Sequence, residues 1–206
     1  MTNFDRWKIY TEESPCPDNF VDGAWTFLIS ACLERRVWLA SSEVVYPNQY
    51  HIFIAKPGVG KGITTVVKRM LQHFNRDGSV AALSSNIQDD GDGGPAKIGS
   101  NKFLFPVAAT STTYEKFVET LSNNLRIVPT KTKPYYAHCS TSFVLDELSS
   151  IFKKDAETMM AFLLEGWTCS ESHDRETISR GVNRAKNICI NIIGGTQTDK
   201  IPEMRK

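Results

Sequence analysis

The chain has 206 residues, enough for one well-buried core and too few for two ordinary domains. Its hydrophobic fraction of 41% and charged fraction of 23% are those of a soluble folded protein, and no apolar run approaches the ~20 residues that span a bilayer. A formal net charge of +1 excludes a strongly basic nucleic-acid binder in bulk and leaves room for a local basic patch. Cys16, Cys32, Cys139, Cys169 and Cys189 stand singly, with no C-x-x-C pair, and the histidines are equally isolated. Free thiols and no metal cluster are therefore expected. The opening "MTNFDRWKIYTEESP" lacks the apolar stretch of a signal peptide, so a cytoplasmic location is expected.

In chain order, the polar start gives way to a helix that Asp18 can cap, with Phe20, Ala24, Phe27, Leu28 and Ala31 recurring at helical spacing. β-Branched and aromatic residues predict short strands around 36–40 and 43–46, then a buried strand at 50–55 after the turn at Pro47 and Asn48. Trp25 and Trp38 are assigned to the core. A glycine-rich loop leads into a helix whose apolar face is Ile63, Val66, Val67, Met70, Leu71 and Phe74. A buried strand at 79–85, a mobile acidic and glycine-rich loop over 87–100 and a strand in "KFLFPVAAT" follow. Thr112 and Glu115 form a capping box for a helix carrying Tyr114, Phe117, Val118, Leu121 and Leu125. The rest predicts a strand in "STSFVLDE", a helix at 156–168, a charged segment and a last strand in "ICINIIGGTQT".

Strands alternating with helices predict an α/β protein with a mainly parallel sheet and helices on both faces. The expected division is an N-terminal helix with short strands over 1–49, packed on a core domain over 50–206.

Three strand ends carry chemistry. "AKPGVGKGITT" resembles the phosphate loop G-x-x-x-x-G-K-[ST], with Ala55 in place of the first glycine and Gly62 in place of the hydroxyl residue. Backbone amides and a helix N-terminus do most of the holding in such a loop. Pro57, Gly58, Val59, Gly60, Lys61, Gly62, Ile63 and Thr64 are therefore the expected nucleotide contacts. Lys61 reaches the β- and γ-phosphates, and Thr64, one turn into the helix, is a candidate to replace the metal-holding hydroxyl that Gly62 lacks. A strand-ending "SFVLDE" places Asp146 to hold Mg²⁺ and Glu147 to polarise an attacking water. The last strand ends in Thr196 and Gln197, polar groups suited to sensing the γ-phosphate or orienting that water.

The runs "LERRVWL…VVYPNQYHIFIAKPGVGKG", "FPVAATSTTYEKFVETL", "FVLDELSSIF" and "NICINIIGGTQTDKIPEM" together resemble the P-loop ATPase domain of phage- and mobile-element-encoded primase–helicase-like proteins. The resemblance covers roughly residues 18 to 204. It implies a three-layer, RecA-like P-loop fold, Mg²⁺-dependent ATP hydrolysis and a role in DNA replication in the cytoplasm of a bacterial host. It also implies further strands past Lys206, so the sequence is expected to be part of a longer chain. Motors of this class assemble into rings in which a neighbour supplies an arginine; Arg180 and Arg184 are the candidates here. Arg175, Arg180, Arg184 and Lys186 are also candidates for phosphate contacts with single-stranded DNA, and Tyr135, Tyr136, Lys131 and Lys133 for stacking beside charge. The residues leave three alternatives open: a small-molecule kinase, for which the "PGVGKG" spelling has precedent among nucleoside monophosphate kinases, a non-catalytic nucleotide-binding assembly module, and a DNA-packaging ATPase.

Overall fold

The computed structural model describes residues 1–76, 85–88, 97–100, 105–108, 113–128, 136–153, 155–177 and 181–201. The N-terminal residues, expected only as a polar lead-in, form helix α1 (Asn3–Tyr10). A reciprocal capping box starts it: Asp5 N donates to Thr2 Oγ1 at 3.1 Å and Thr2 N to Asp5 Oδ2 at 2.6 Å. Trp7 anchors α1 by donating its indole N–H to the Val21 carbonyl at 2.9 Å. Helix α2 (Asp18–Leu33) buries Phe20, Ala24, Phe27, Leu28 and Ala31, the face its spacing predicts, and Val21 besides; Asp18 is its first residue rather than its cap, since Pro17 occupies the cap position without a side-chain bond.

Strands β1 (Leu39–Ala40) and β2 (Val44–Val45) pair only with each other. Trp38 beside them is 61% exposed, a correction to its expected core position, because this two-residue ladder offers no face under which an indole can be covered. Trp25 is half-buried and stacks on Trp7.

β3 (Tyr50–Ile54) leads through the glycine loop into α3 (Ile63–Arg76). β4 (Ser85–Gln88) and β5 (Lys97–Ser100) form an antiparallel pair where a loop was expected, and residues 79–84 and 89–96 lie outside the described residues. α4 (Tyr114–Asn123) begins after Thr113, which makes no side-chain cap; Thr112 is outside the described residues. The helix stops before Leu125, which instead opens β6 (Leu125–Val128). Then come β7 (Tyr136–Leu145), α5 (Ala156–Trp167), the hairpin β8 (Ser172–Thr177) and β9 (Gly181–Lys186), and β10 (Ile188–Thr196).

The main sheet has the order β3-β10-β7-β6-β4-β5. β3, β10 and β7 are mutually parallel, and the predicted strand in "KFLFPVAAT" contributes a parallel bridge between Val107 and Ser142. β6 is antiparallel to both β7 and β4, and β5 to β4, so the sheet is mixed, with β3, β10, β7 and β4 running one way and β6 and β5 the other. The link 129–135 between β6 and β7 explains this, being too short for the crossover of about a dozen residues that a parallel pair needs.

Alternating side chains divide the core into two layers. Phe53, Val144 and Ile193 face α2 and α3 with Phe27, Ile63, Val67 and Leu71. Phe143, Leu145, Ile190 and Ile192 face α4 and α5 with Phe117, Leu121, Met159 and Phe162. Each such fully buried side chain contributes on the order of 2 kcal/mol. The segment before residue 50 shares the first of these layers through α2, so it packs on the sheet directly. Among the described residues, no helix is long and apolar enough to cross a membrane. All five cysteines are free thiols.

At the end where β7 and β10 begin, a charged cluster is buried. Glu34, in the left-handed region at φ 52°, pairs with Arg126 at 3.0 Å and Arg36 at 2.9 Å. Arg35 donates to the carbonyls of Ser170 at 3.0 Å and Ile188 at 2.9 Å and lies over the Tyr46 ring. His138 is fully buried beside them and meets Ser140 Oγ at 2.8 Å. Tyr136 interacts with Tyr46 and Arg35 in this cluster, the packing role favoured by a strand start; Tyr135, Lys131 and Lys133 lie outside the described residues.

Candidate functional site

The three strand ends singled out by the sequence are adjacent. β10 lies between β3 and β7, so Thr196 emerges between the glycine loop and Glu147. The ladder continues one step into the loop, where Ala55 N donates to the Thr196 carbonyl at 3.2 Å. Two strand spacings, about 10 Å, therefore separate the loop strand from the acidic strand.

Gly58 and Gly60 adopt φ +82° and +74°, the left-handed backbone that lets successive amides turn inward. The turn closes through Ile63 N to Gly60 O at 3.3 Å, Thr64 N to Lys61 O at 3.3 Å and Thr65 N to Gly62 O at 2.9 Å. Among the described residues, the N–H groups of Gly58, Val59, Gly60, Lys61 and Gly62 meet no protein acceptor. Five such donors precede a fourteen-residue helix, an arrangement whose chemistry suits an anion. Ala55 has no positive φ, so its replacement of glycine costs the backbone nothing. A Cβ at Gly62 would meet no atom within 4 Å beyond its chain neighbours.

Lys61 folds back over the strand ends, donating to the carbonyls of Ala55 at 2.6 Å and Lys56 at 3.2 Å. Its stem lies against β10, where a Cβ on Gly195 would come within 3.1 Å of Lys61 Cδ. The second glycine of "IIGGT" thus makes room for the lysine, a signal the sequence carries and the motif search missed. Gly60 is similarly crowded: a Cβ there would overlap the Pro15 carbonyl and Cys16, so the connector between α1 and α2 lies on the loop. No local pattern announced that contact.

Glu147 is half-buried, and its Oε1 accepts from Thr196 Oγ1 at 2.7 Å, Ser149 Oγ at 3.0 Å and Ser149 N at 3.3 Å. Burial works against ionisation, but the hydrogen bonds from Thr196 and Ser149, with the charge of Lys61, outweigh it and hold the carboxyl below its ordinary value. Ser149 was not expected at the site. Asp146 is exposed at the end of β7, and Gln197 is half-buried after Thr196. Thr64 is 4% exposed and donates its hydroxyl to the Lys61 carbonyl at 3.1 Å, so it braces the turn. Among the described residues, no group of three or more His, Cys, Asp and Glu could hold a metal ion.

Of the basic candidates, Arg175, Arg184 and Lys186 lie on the hairpin. Arg175 stands opposite Asn183 and Arg184 opposite Asp174, Lys186 is exposed, and Arg180 lies outside the described residues. No protein-family model matches the chain, and no curated protein matches it significantly, so the site must be understood from its own geometry.

Proposed function

We propose that this chain is a Mg²⁺-dependent ATPase acting as a helicase-type or primase–helicase-type motor domain on DNA, with a P-loop, RecA-like core. The observation that carries the reading is the side-by-side placement of the glycine loop, Thr196 and the Glu147 carboxylate at the ends of three adjacent parallel strands. The amides from Gly58 to Gly62 suit the phosphates, with Ile63 and Thr64 closing the turn beneath them. Lys61 exchanges its carbonyl partners for phosphate oxygens. Asp146 would hold Mg²⁺, whose remaining positions water and phosphate fill, and the ion would neutralise the phosphate charge.

The spacing of about 10 Å between the loop strand and the acidic strand accommodates a γ-phosphate and one water. Glu147 accepts the proton of that water while its oxygen forms the new bond to phosphorus. The bond to the β–γ bridging oxygen breaks, and its electron pair leaves with ADP. Thr196, whose one hydroxyl proton is spent on Glu147, accepts from the water, and Gln197 bonds the γ-phosphate or that water. DNA, expected to be single-stranded, is assigned to the basic hairpin, and a ring of copies would let Arg180 or Arg184 reach a neighbour's phosphates.

The test is ATP turnover by the purified chain, with and without single-stranded DNA, over a hundredfold range of protein concentration. Lys61→Ala should cost about a thousandfold in turnover, and Glu147→Gln should cost as much while still binding MgATP. Both variants should melt like the parent. Turnover unchanged by either substitution would remove the site from the reaction, and phosphorylation of an added nucleoside would mark a kinase instead.

A further inference from the structure

Glu147 has one oxygen engaged and one left over. Three donors converge on Oε1, and among the described residues none reaches Oε2. Thr196 approaches from the neighbouring strand, whereas Ser149 approaches from the chain just beyond Glu147, so the donors come from two directions. A single tether from Thr196 would leave the carboxylate free to rotate about it. A second residue on the same oxygen removes that freedom.

The two serines of "ELSS" divide their work. Ser150 donates its hydroxyl to the backbone carbonyl of Glu147 at 2.7 Å, a local turn bond. Ser149, only 7% exposed, needs an acceptor for its hydroxyl and takes the carboxylate rather than a carbonyl. Its amide adds a second bond to the same oxygen, making Glu147 the cap of the 3₁₀ turn Leu148–Phe152.

We propose that Ser149 is a positioning residue for hydrolysis: with Thr196 it fixes Oε1 of Glu147 and so presents Oε2 to the attacking water. This rests on the ATPase reading. Oriented bases lose rate without losing substrate when their support is removed, so the signature is a fall in kcat at constant KM.

Ser149→Ala, Ser149→Thr and Ser150→Ala are compared in the full 206-residue chain. Ser149→Ala should lower kcat about tenfold or more, since a hydrogen bond to a charged group is lost, with KM and the dissociation constant for MgATP within twofold of the parent. Ser149→Thr keeps the hydroxyl and should restore most of the rate. Ser150→Ala should leave kcat within twofold. Against a Glu147→Gln background, Ser149→Ala should have no further effect. Equal losses in Ser149→Ala and Ser150→Ala, or no rescue by threonine, would make Ser149 a fold residue and overturn the proposal. A parent that hydrolyses ATP with Ser149→Ala indistinguishable from it would overturn the proposal alone; a parent that binds no MgATP would overturn the ATPase reading with it.

Discussion

Two glutamates at opposite ends of the parallel strands show how surroundings divide one chemical group between two roles. Glu34 is 1% exposed, and Arg126 and Arg36 stand against its two oxygens. Burial pushes its carboxyl above the ordinary value despite the opposing charges of Arg126 and Arg36, and no solvent or ligand has access to it. Glu147 has solvent on one side, neutral donors on one oxygen, and a lysine near enough to favour its charge. The first fastens the end of α2 to the sheet, and the second keeps one oxygen open. What separates them is access and the number of committed oxygens, not the residue type.

The sharpest way to break the comparison is at the buried end. Arg126→Met keeps volume but removes one of Glu34's two cations. It should destabilise the fold by about 3 kcal/mol, because a buried carboxylate loses compensation. Urea unfolding measures this, and the double variant Arg126→Met with Glu34→Gln should recover part of the loss. ATP turnover at a temperature where both remain folded should be unaffected, since the cluster touches none of the site. A loss below about 0.5 kcal/mol would show the pair to be unimportant.

A smaller effect comes from His138. Burial, followed by the charges of Arg126, Arg36 and Arg35, pushes its pKa down to about 3. The unfolded chain protonates this histidine near the ordinary value of about 6.5, so it binds more protons than the fold below that pH. The stability contributed by a neutral His138 is therefore full above pH 6.5 and lost as pH falls toward 3. Between pH 6.5 and 5 the loss is about 2 kcal/mol. His138→Gln should flatten the acid slope by that amount in urea titrations run at each pH. Identical slopes for variant and parent would remove His138 from the acid response. Glu34 titrates in both proteins and drops out of the difference.

The smallest effect belongs to the reactive end. A Cβ added at Gly62 meets no atom within 4 Å beyond its chain neighbours, so Gly62→Ser should fold normally and offer the missing hydroxyl to the metal. The Mg²⁺ concentration for half-maximal turnover should fall about threefold, a shift worth under ~1 kcal/mol. No shift would show that water already fills that position as well as a hydroxyl does.

Much of the reactive end was legible because its parts are local. A strand, a left-handed glycine turn and an amphipathic helix are consecutive in "YHIFIAKPGVGKGITTVVKRML", and each depends on near neighbours in the chain; the expected burial of that strand was not met, since β3 lies at the sheet edge, where only Phe53 is buried and Ile52 and Ile54 are exposed. "FVLDE" and "IIGGTQ" announce strands with polar ends for the same reason. The α1 helix was legible too, through Thr2 and Asp5, though its capping box was overlooked.

Tertiary structure alone decided the rest. Local pattern cannot say that β10 enters between β3 and β7, because strand order depends on which apolar faces pack together across the whole chain. That order is what brings Thr196 to Glu147, and Gly195 under Lys61. Nor could periodicity predict the antiparallel turn into β6 or the exposed Trp38, which depend on link length and on how little of the short hairpin is covered. The ion pair between Glu34 and Arg126 joins residues that share no motif. Charged side chains in a sequence look solvated by default, and only the packing of the turn at Glu34–Arg36 against β7 and β10 takes these out of water and makes their pairing obligatory.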